Sequence, residues 1–509
     1  MANLNHADVD PAADPLAADR EKLADLKRSS FRALKWDFIG KFGCQLVNLL
    51  VTTILARLLS PEHFGLLAIA GAIGVIAGVV SEAGMYSALI QSEKVTPLHY
   101  NSAFYCSLVL SFGLCLIVCA CSGWLARLYA APELQGVIVA TGLLFILNAL
   151  SSIQTAYLTK HLQFEPISKA RILSAIVSGT VAVLMANHGY GVWALVWQMI
   201  LQTLVFTLAI LPACQWKVSR DFSFQALHEL WDFGSKMFAS GVIDTLYRRL
   251  DVFIIGKAFS TGELGFFQRA KLLENLISEY GAGSLARVLF PAFSTIQSNQ
   301  ALLAHSFRKV YLPLAWLIFA VSGVAFVSAE EVVKVLFSAK WLPCVDYLRL
   351  LLMGTFVYPL SAPLGAVIQA TGNSTGFLKA EVVKKAVFTV NLAMLFVMDI
   401  RSYLIGLAVA GVIAYLINLL FASKAMGIRM SEILRSVVPL LLVAVVSTAL
   451  VYYGMTLITW PNTWARLILE SGAALLLYAA LTAAFRLEGF REGKGAFLKL
   501  YHQLACRFS

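Results

Sequence analysis

The pattern of hydrophobic and polar positions divides the chain into long apolar runs separated by short polar segments. Most runs contain about twenty predominantly apolar residues, which is the length an α-helix needs to cross the hydrocarbon core of a bilayer. We predict fourteen membrane-spanning helices, near residues 38–59, 66–90, 102–121, 137–157, 167–187, 192–212, 235–259, 267–290, 310–327, 344–370, 377–398, 405–422, 438–458 and 466–485. The predicted fold class is therefore an all-α polytopic membrane protein.

The composition supports this prediction. Hydrophobic residues make up 59% of the chain and charged residues 14%, and the mean hydropathy is +0.75. Soluble domains carry about 25% charged residues, so lipid is expected to surround most of this chain. The net charge of +11 does not indicate nucleic acid as a partner, because the basic residues are spread over the interhelical loops and the tails. The eight cysteines show no metal-ligand spacing, and we expect neither a metal nor a cofactor.

Lysine and arginine mark one side of the predicted bundle. Alternate loops, beginning with the N-terminal segment, are rich in these residues, and such loops are typically cytoplasmic. Both termini are therefore expected in the cytoplasm, and no cleaved signal peptide is predicted. Residues 20–35 form a basic amphipathic stretch that either lies on anionic membrane lipids or is a solvated tail. No loop is long enough for a soluble catalytic domain, so we do not expect an enzyme.

Two short motifs occur twice along the chain. WDF followed three residues later by lysine is found at 36–41 and again at 231–236, and SPEHFGL at 60–66 is similar to STGELGF at 260–266. The offset grows by five residues between the two matches, so the second copy requires one insertion. We interpret this as an internal duplication, with chance similarity as the alternative. The predicted divisions are an N-terminal tail (1–35), an N-terminal lobe (36–220), a C-terminal lobe (221–422), two further helices (423–485) and a C-terminal tail (486–509).

The seventh apolar run carries four charged residues near its middle: Asp244, Arg248, Arg249 and Asp251. Ionisable groups at bilayer depth cost roughly 2.5–3.5 kcal/mol each, so they are expected to be paired and to face a bundle interior or a wet cavity. Asp244, Arg248 and Asp251 share one helical stripe, and Arg249 lies off it without a partner on its own helix. The group either neutralises itself structurally or opens for an anionic ligand, a proton or sodium. Guanidinium suits phosphate because it bonds bidentately.

The first and eighth runs add polar faces of the same kind. We predict a cationic substrate-binding cavity lined by Lys41, Gln45, Asn48, Thr52, Arg248, Arg249 and Lys271, with Asp244, Asp251 and Glu274 as coupling or gating carboxylates. Two alternatives stay open. The neutral residues commonly join helices by hydrogen bonds, and Lys271 and Glu274 at i, i+3 are suited to a local pair. In the tenth run, Pro359 and Pro363 predict an interruption of the helix.

Two segments resemble a known family. ARLLSPEHFGLLAIA, residues 56–70, closely resembles the first interhelical turn of the polysaccharide-exporter branch of the multidrug/oligosaccharidyl-lipid/polysaccharide superfamily. RRLDVFIIGKAFSTGELGFFQRAKLL, residues 248–273, resembles the corresponding segment of that family's second half. The group is that of the Wzx-like flippases, with greatest similarity to the colanic-acid-exporter type. The resemblance covers essentially the whole membrane region and says nothing about the identity of the sugar.

The resemblance implies two pseudo-symmetric six-helix lobes, two extra C-terminal helices and alternating access of a central cationic cavity. The implied cargo is an undecaprenyl-pyrophosphate-linked oligosaccharide, moved across the bacterial inner membrane for exopolysaccharide or lipopolysaccharide synthesis. A coupling cation (H⁺ or Na⁺) and the polysaccharide polymerase and chain-length machinery are the implied partners. The main alternative is a cation-coupled multidrug antiporter of the same superfamily, for which an acidic, aromatic-lined cavity is expected. A membrane glycosyltransferase and a structural scaffold explain the residues less well, because the loops are short and charges lie at mid-depth.

Overall fold

The computed structural model describes residues 15–92, 94–278, 289–290, 292–372, 374–458, 462–493 and 495, and within these ranges the regular secondary structure is helical. The longer helices are α1 (Pro15–Leu58), α2 (Pro61–Glu82), α3 (Met85–Gln91), α4 (Pro97–Leu128), α5 (Glu133–Lys160), α6 (Phe164–Asn187), α7 (Val192–Ile210), α8 (Phe224–Ala258), α9 (Thr261–Ser278), α10 (Gln300–Val327), α11 (Ala329–Phe337), α12 (Pro343–Thr355), α13 (Ser361–Ala370), α14 (Ser374–Ala393), α15 (Ile400–Met426), α16 (Met430–Thr456) and α17 (Thr463–Ala484).

All fourteen predicted spans overlap helices, which confirms the helical membrane fold class. Within the described residues, eleven helical segments are long and apolar enough to cross a membrane. The other three predicted spans fall on α8, α9 and α14, the helices that carry several charged residues each, and residues 279–288 of one of them lie outside the described ranges. The number fourteen therefore stays a prediction. The interruption predicted at the prolines is present, because α12 ends at Thr355 and α13 begins at Ser361.

The chain forms two compact units. Among the described residues, the first unit contains those up to Leu55 and Ala70–Leu250, and the second contains Ala56–Ile69 and those from Asp251 onward. In the first unit α4 packs on α5, and α7 packs on both α5 and α6. In the second unit α9 packs on α12, α10 packs on α16 and α17, and α15 packs on α12 and α14. Two long helices change unit near their ends, since α1 divides after Leu55 and α8 after Leu250.

In the first unit, the segment between α7 and α8 is fastened to the start of α4. Asn101, which is almost fully buried, accepts hydrogen bonds from Trp216 Nε1 (3.1 Å) and the Ser219 backbone (3.3 Å). His99 Nε2 lies 2.9 Å from Glu229 Oε2 on α8. The Trp216 indole is buried in a cluster that also contains Tyr100. This segment therefore has fixed polar and apolar contacts, although it lies between two predicted lobes.

In the second unit, the α1–α2 and α8–α9 turns pack against each other reciprocally. A Cβ on Gly65 would lie 1.8 Å from the Thr261 carbonyl oxygen, and a Cβ on Gly265 would lie 2.1 Å from the Pro61 carbonyl oxygen. These are the motifs that the sequence pairs at 60–66 and 260–266. Glycine is required at both positions because any side chain would push the two helix starts apart. The reciprocal contact supports the interpretation of these motifs as copies of one ancestral turn.

A buried tryptophan packs against the α1–α2 turn. Trp341, which has no exposed surface, donates from Nε1 to the Ala56 carbonyl at 2.7 Å. Arg57 donates from Nε to the Leu336 carbonyl at 3.2 Å, so the last turn of α1 is held by the segment that follows α10. The Phe64 ring meets the indole edge-on, with a centroid separation of 5.3 Å.

We expect Gly65→Ala and Gly265→Ala each to destabilise the protein, because the new methyl group overlaps a backbone oxygen. Overpacking of this kind typically costs about 1–3 kcal/mol, which should appear as a lower unfolding temperature in detergent. Gly78→Ala is the matched control, because Gly78 also lies in α2 and has no atom within 4 Å of an added Cβ. Equal unfolding temperatures for all three variants would contradict the close packing of the two turns.

One arginine in the second unit holds two buried carboxylates. Arg466 Nε lies 3.0 Å from Glu331 Oε1 and 2.7 Å from Glu470 Oε1, while the side chains of Glu331 and Glu470 are 1% and 2% exposed. The group joins α11 to α17. Removing one partner of a buried ion pair leaves an uncompensated charge, which costs far more than the pair itself contributes.

We therefore expect Arg466→Met to destabilise the protein by about 3–5 kcal/mol, as is typical of a broken buried pair. Adding Glu470→Gln to that variant should restore part of the loss, because it removes one of the stranded charges. Thermal unfolding in detergent measures both effects. Arg401→Met is the control, since its pair with Asp346 is more than half exposed. A loss no larger than the control's would mean that the carboxylates are neutral in the folded protein.

Candidate functional site

The charged stretch of α8 that belongs to the first unit contains Asp244, Arg248 and Arg249. Arg248 Nε lies 2.8 Å from Asp244 Oδ2, and the two side chains are 72% and 46% exposed. This is the pairing at i, i+4 that helical spacing predicts. Arg249 is half-buried and has no hydrogen bond or ion pair to another described residue. The Arg248 side chain therefore stays largely exposed beside its partner, and Arg249 has no partner among the described residues.

Lys41 on α1 belongs to a three-residue cluster. Its Nζ lies 2.5 Å from Asp37 Oδ2, and Arg171 Nη1 of α6 approaches Asp37 Oδ1 at 3.7 Å. The sequence reasoning included Lys41 and missed its two partners. Asp37 is recoverable from the sequence, because it lies four residues before Lys41 on one helix. Arg171 is not, because its proximity depends on how α6 packs against α1.

The neutral members of the α1 stripe are Gln45, Asn48 and Thr52, and all three are half-buried. Asn48 Nδ2 lies 3.5 Å from Cys44 Sγ, while its Oδ1 is buried without a hydrogen-bond partner. For Gln45 and Thr52, no side-chain hydrogen bond within this helix or to a neighbouring described helix is present. The stripe therefore has unused donors and acceptors, as a surface that binds a polar ligand requires. The alternative, in which these residues join helices by hydrogen bonds, stays open beside it.

Asp251 lies just past the point where α8 enters the second unit. Its side chain is 9% exposed, its Oδ2 forms an ion pair with Lys271 Nζ of α9, and its Oδ1 accepts from the Val252 backbone at 2.8 Å. The sequence reasoning expected Asp251 to flank Arg248, and the structure instead pairs it with Lys271. Arg248 and Asp251 are three positions apart on α8, yet their side chains have different surroundings. The Asp251–Lys271 pair joins two consecutive helices, so Lys271 has a structural partner.

Glu274 lies one turn beyond Lys271 and does not pair with it. The carboxylate instead receives hydroxyl groups at Oε1, from Ser278 on its own helix and from Thr355 at the end of α12, the latter at 2.9 Å. Thr355 is a functional candidate that the sequence reasoning missed, because its contact with Glu274 spans 81 positions. The prolines that follow Thr355 predict the interruption of the helix. They do not predict that Glu274 of α9 lies next to it.

The candidate residues differ in net charge between the two units. In the first unit, Lys41, Arg171, Arg248 and Arg249 provide four positive charges against the two negative charges of Asp37 and Asp244. In the second unit, Asp251 and Glu274 provide two negative charges, and Lys271 provides one positive charge. A positive surplus attracts anions, and a carboxylate among hydroxyl groups suits a small cation.

Comparisons with known proteins give a family model and several relatives. A family model described as "Polysaccharide biosynthesis protein" matches residues 54–346. The chain is 25% identical over 317 residues to the succinoglycan biosynthesis transport protein ExoT of Rhizobium meliloti (strain 1021), covering 61% of this chain and 63% of that protein, just under two thirds of its length. It is 23% identical over 370 residues to the lipopolysaccharide biosynthesis protein WzxC of Escherichia coli (strain K12), covering 71% and 74%.

A solved structure extends the comparison to the fold. The lipid II flippase MurJ in an inward closed conformation matches with a TM-score of 0.69, covering 89% of this chain and 98% of that chain. Sequence identity over this match is 14%, so it reports on the fold alone.

Proposed function

The chain belongs to the polysaccharide biosynthesis protein family, and from this premise we propose that it is a flippase for lipid-linked oligosaccharides. The proposed cargo is an oligosaccharide repeat unit on undecaprenyl pyrophosphate, moved from the cytoplasmic to the periplasmic leaflet by alternating access. The observation that carries the proposal is the positive surplus among the candidate residues of the first unit, where Lys41, Arg171, Arg248 and Arg249 outnumber Asp37 and Asp244. A pyrophosphate crossing hydrocarbon needs such compensation, because an unpaired charge at that depth is costly.

Within this proposal Arg248 and Arg249 bind the pyrophosphate. The side chain of Arg248 stays largely exposed although it pairs with Asp244. Among the described residues, no carboxylate pairs with Arg249. Each guanidinium group presents a planar fork that matches phosphate oxygens bidentately. Lys41 adds a point charge from α1, and the neutral stripe of Gln45, Asn48 and Thr52 suits the sugar hydroxyl groups.

The carboxylates are proposed to couple or gate the transport. Asp244 competes with the cargo for Arg248, so it favours release of the pyrophosphate once the site opens. Glu274 is the proposed position for the coupling cation, H⁺ or Na⁺, because two hydroxyl oxygens and a carboxylate converge there. Asp251 and Lys271 connect this region to α8, the helix that carries both arginines.

A cation-coupled multidrug antiporter of the same superfamily is the second candidate. Such a protein binds cationic drugs, for which a site with a positive surplus is unfavourable. The charges around Arg248 and Arg249 therefore favour an anionic cargo. A drug-resistance assay separates the two functions, because only the antiporter should protect cells against cationic dyes.

The proposed location is the bacterial inner membrane, with both termini in the cytoplasm. The polysaccharide polymerase and the chain-length machinery are the proposed partners, because a flipped repeat unit must be consumed on the far side of the membrane. Enzymatic chemistry is not part of this function, and the relative ExoT is likewise named as a transport protein.

We expect reporter fusions placed after Arg220 and at the C-terminus both to give a cytoplasmic signal. The reason is the concentration of lysine and arginine on that side of the predicted bundle. Paired alkaline phosphatase and fluorescent-protein fusions in intact cells measure it, with a fusion after Trp341 as the outward-facing control. A periplasmic signal from the C-terminus would contradict the number or the orientation of the spans.

We expect Arg248→Gln and Arg249→Gln each to reduce surface polysaccharide export by at least about tenfold, since each removes charge-assisted hydrogen bonds to phosphate. The corresponding lysine variants should recover export only in part, because an ammonium group cannot bind bidentately. Export is measured in a deletion strain complemented with each variant, with the amount of protein in the membrane determined alongside.

Arg127→Gln is the matched control for these variants. Arg127 is an exposed arginine on α4 whose Nε donates to the Gly123 carbonyl, so the change removes one positive charge away from the proposed site. Its export should equal that of the wild type. Normal export by both Arg248→Gln and Arg249→Gln at equal protein levels would make the two arginines structural and overturn the site assignment.

A further inference from the structure

A second group of arginines lies around an open cavity in the second unit, on residues that the proposed transport site does not use. The cavity has a volume of about 400 Å³, within the usual range for small-ligand sites. Three different elements contribute an arginine to its wall: Arg308 from α10, Arg435 from α16 and Arg486 from the turn that follows α17. Three guanidinium groups in one wall give it a positive potential that attracts anions.

The two carboxylates in the same wall balance only part of this charge. Glu488 accepts from Ser436 Oγ at 3.1 Å and from Arg308 Nη2 at 3.4 Å. Glu432 accepts from the Arg429 backbone N–H at 3.2 Å, where it caps the start of α16. Both acids therefore already have partners. Among the described residues, no hydrogen bond or ion pair involves the guanidinium groups of Arg435 and Arg486.

Arg486 adopts a backbone conformation that a side chain normally disfavours. Its φ is +51°, and the adjacent bonds, from the Arg486 N–H to the Ala483 carbonyl (3.0 Å) and from the Leu487 N–H to the Thr482 carbonyl (3.1 Å), terminate α17. Glycine is the usual residue at this position of a helix terminus, because it has no Cβ to strain. Ala130 and Leu162 end their helices in the same conformation, so the strain at Arg486 belongs to the turn, and its side chain lines the cavity.

The turn that carries Arg486 is held rigidly against the neighbouring helices. A Cβ on Gly489 would lie 2.6 Å from Leu440 Cδ1 and 3.0 Å from the Leu312 carbonyl oxygen, so the chain touches both α16 and α10 there. The Phe490 ring packs edge-on against Trp316, with centroids 5.9 Å apart. The three walls are therefore fixed relative to one another, as a binding site requires.

The arginines also lie at one depth along their helices. Arg308 comes just before the apolar run at 310–327, Arg435 just before the run at 438–458, and Arg486 just after the run at 466–485. Each is thus at the polar end of a predicted span, where lipid headgroups are located. We propose that this cavity is a binding site for a phosphate oxyanion, supplied by the headgroup of an anionic membrane phospholipid. The site is independent of the proposed cargo site and of its cation.

Equilibrium titration of the purified full-length protein in a neutral detergent tests this proposal. Short-chain phosphatidylglycerol should raise the unfolding temperature saturably, and phosphatidylcholine should not. Arg435→Gln and Arg486→Gly should each raise the half-saturating concentration by about tenfold, as expected for the loss of a charge-assisted hydrogen bond. Inorganic phosphate and glycerol phosphate are titrated in parallel as soluble phosphates. A response to phosphatidylglycerol alone supports a phospholipid as the ligand.

Arg486→Gly separates binding from folding. Because glycine relieves the strain at φ +51°, this variant should unfold at the same temperature as the wild type or higher when no lipid is present. A weaker lipid response in a protein of equal or greater intrinsic stability cannot come from misfolding. Arg491→Gln is the matched control, since Arg491 is exposed on the same segment and does not line the cavity.

The outcomes that overturn the proposal are distinct. An unchanged half-saturating concentration in both Arg435→Gln and Arg486→Gly shows that the arginines do not bind the headgroup. An equal loss in Arg491→Gln shows that only general surface charge matters. A saturable response to inorganic phosphate that equals the response to phosphatidylglycerol shows that the site binds phosphate. It overturns the proposal that a phospholipid supplies that phosphate.

Discussion

The constraint on which this structure depends is the cost of ionised groups in a chain that lipid surrounds. A charge that has neither a partner nor an accessible polar environment destabilises such a fold. The Asp251–Lys271 pair satisfies this constraint with a buried contact between consecutive helices. Arg248 satisfies it differently, with a local partner and a largely exposed side chain. Both arrangements occur on α8, and they separate a charge pair that stabilises the fold from the arginines that we propose bind the cargo.

This separation coincides with the point where α8 passes from the first unit into the second. Residues up to Leu250 belong to the first unit and residues from Asp251 onward to the second. Arg248 and Arg249 thus lie on the part of α8 that belongs to the first unit. The buried carboxylate of Asp251 lies on the part that belongs to the second unit. A helix divided in this way connects the proposed anion site to the proposed cation site covalently. Coupling of the two ligands would then need no long chain of side-chain contacts.

Sequence reasoning reached the fold class, the family and the duplicated turn because these depend on local patterns. Apolar run length predicts spans, and the motifs at 60–66 and 260–266 predicted two equivalent turns, which the structure brings into reciprocal contact. The pairing of charges was harder to predict. Helical periodicity placed Asp251 on the same stripe as Arg248, but a stripe identifies a direction and not a partner. Lys271, Thr355 and Arg171 come from other helices, so their contacts follow only from tertiary packing.

The interrupted helix gives Glu274 its distinctive surroundings. Because α12 ends at Thr355, its last turn is beside α9, where the Thr355 hydroxyl reaches Glu274 at 2.9 Å and the Thr355 carbonyl accepts from Ser322 at 3.5 Å. A continuous helix would keep its terminal polar groups away from this depth. Interrupted helices supply the oxygen atoms of ion sites in many transporters, since the freed backbone needs compensation that a cation or a hydroxyl provides. The prolines after Thr355 therefore act on the proposed coupling site through the helix end that they create.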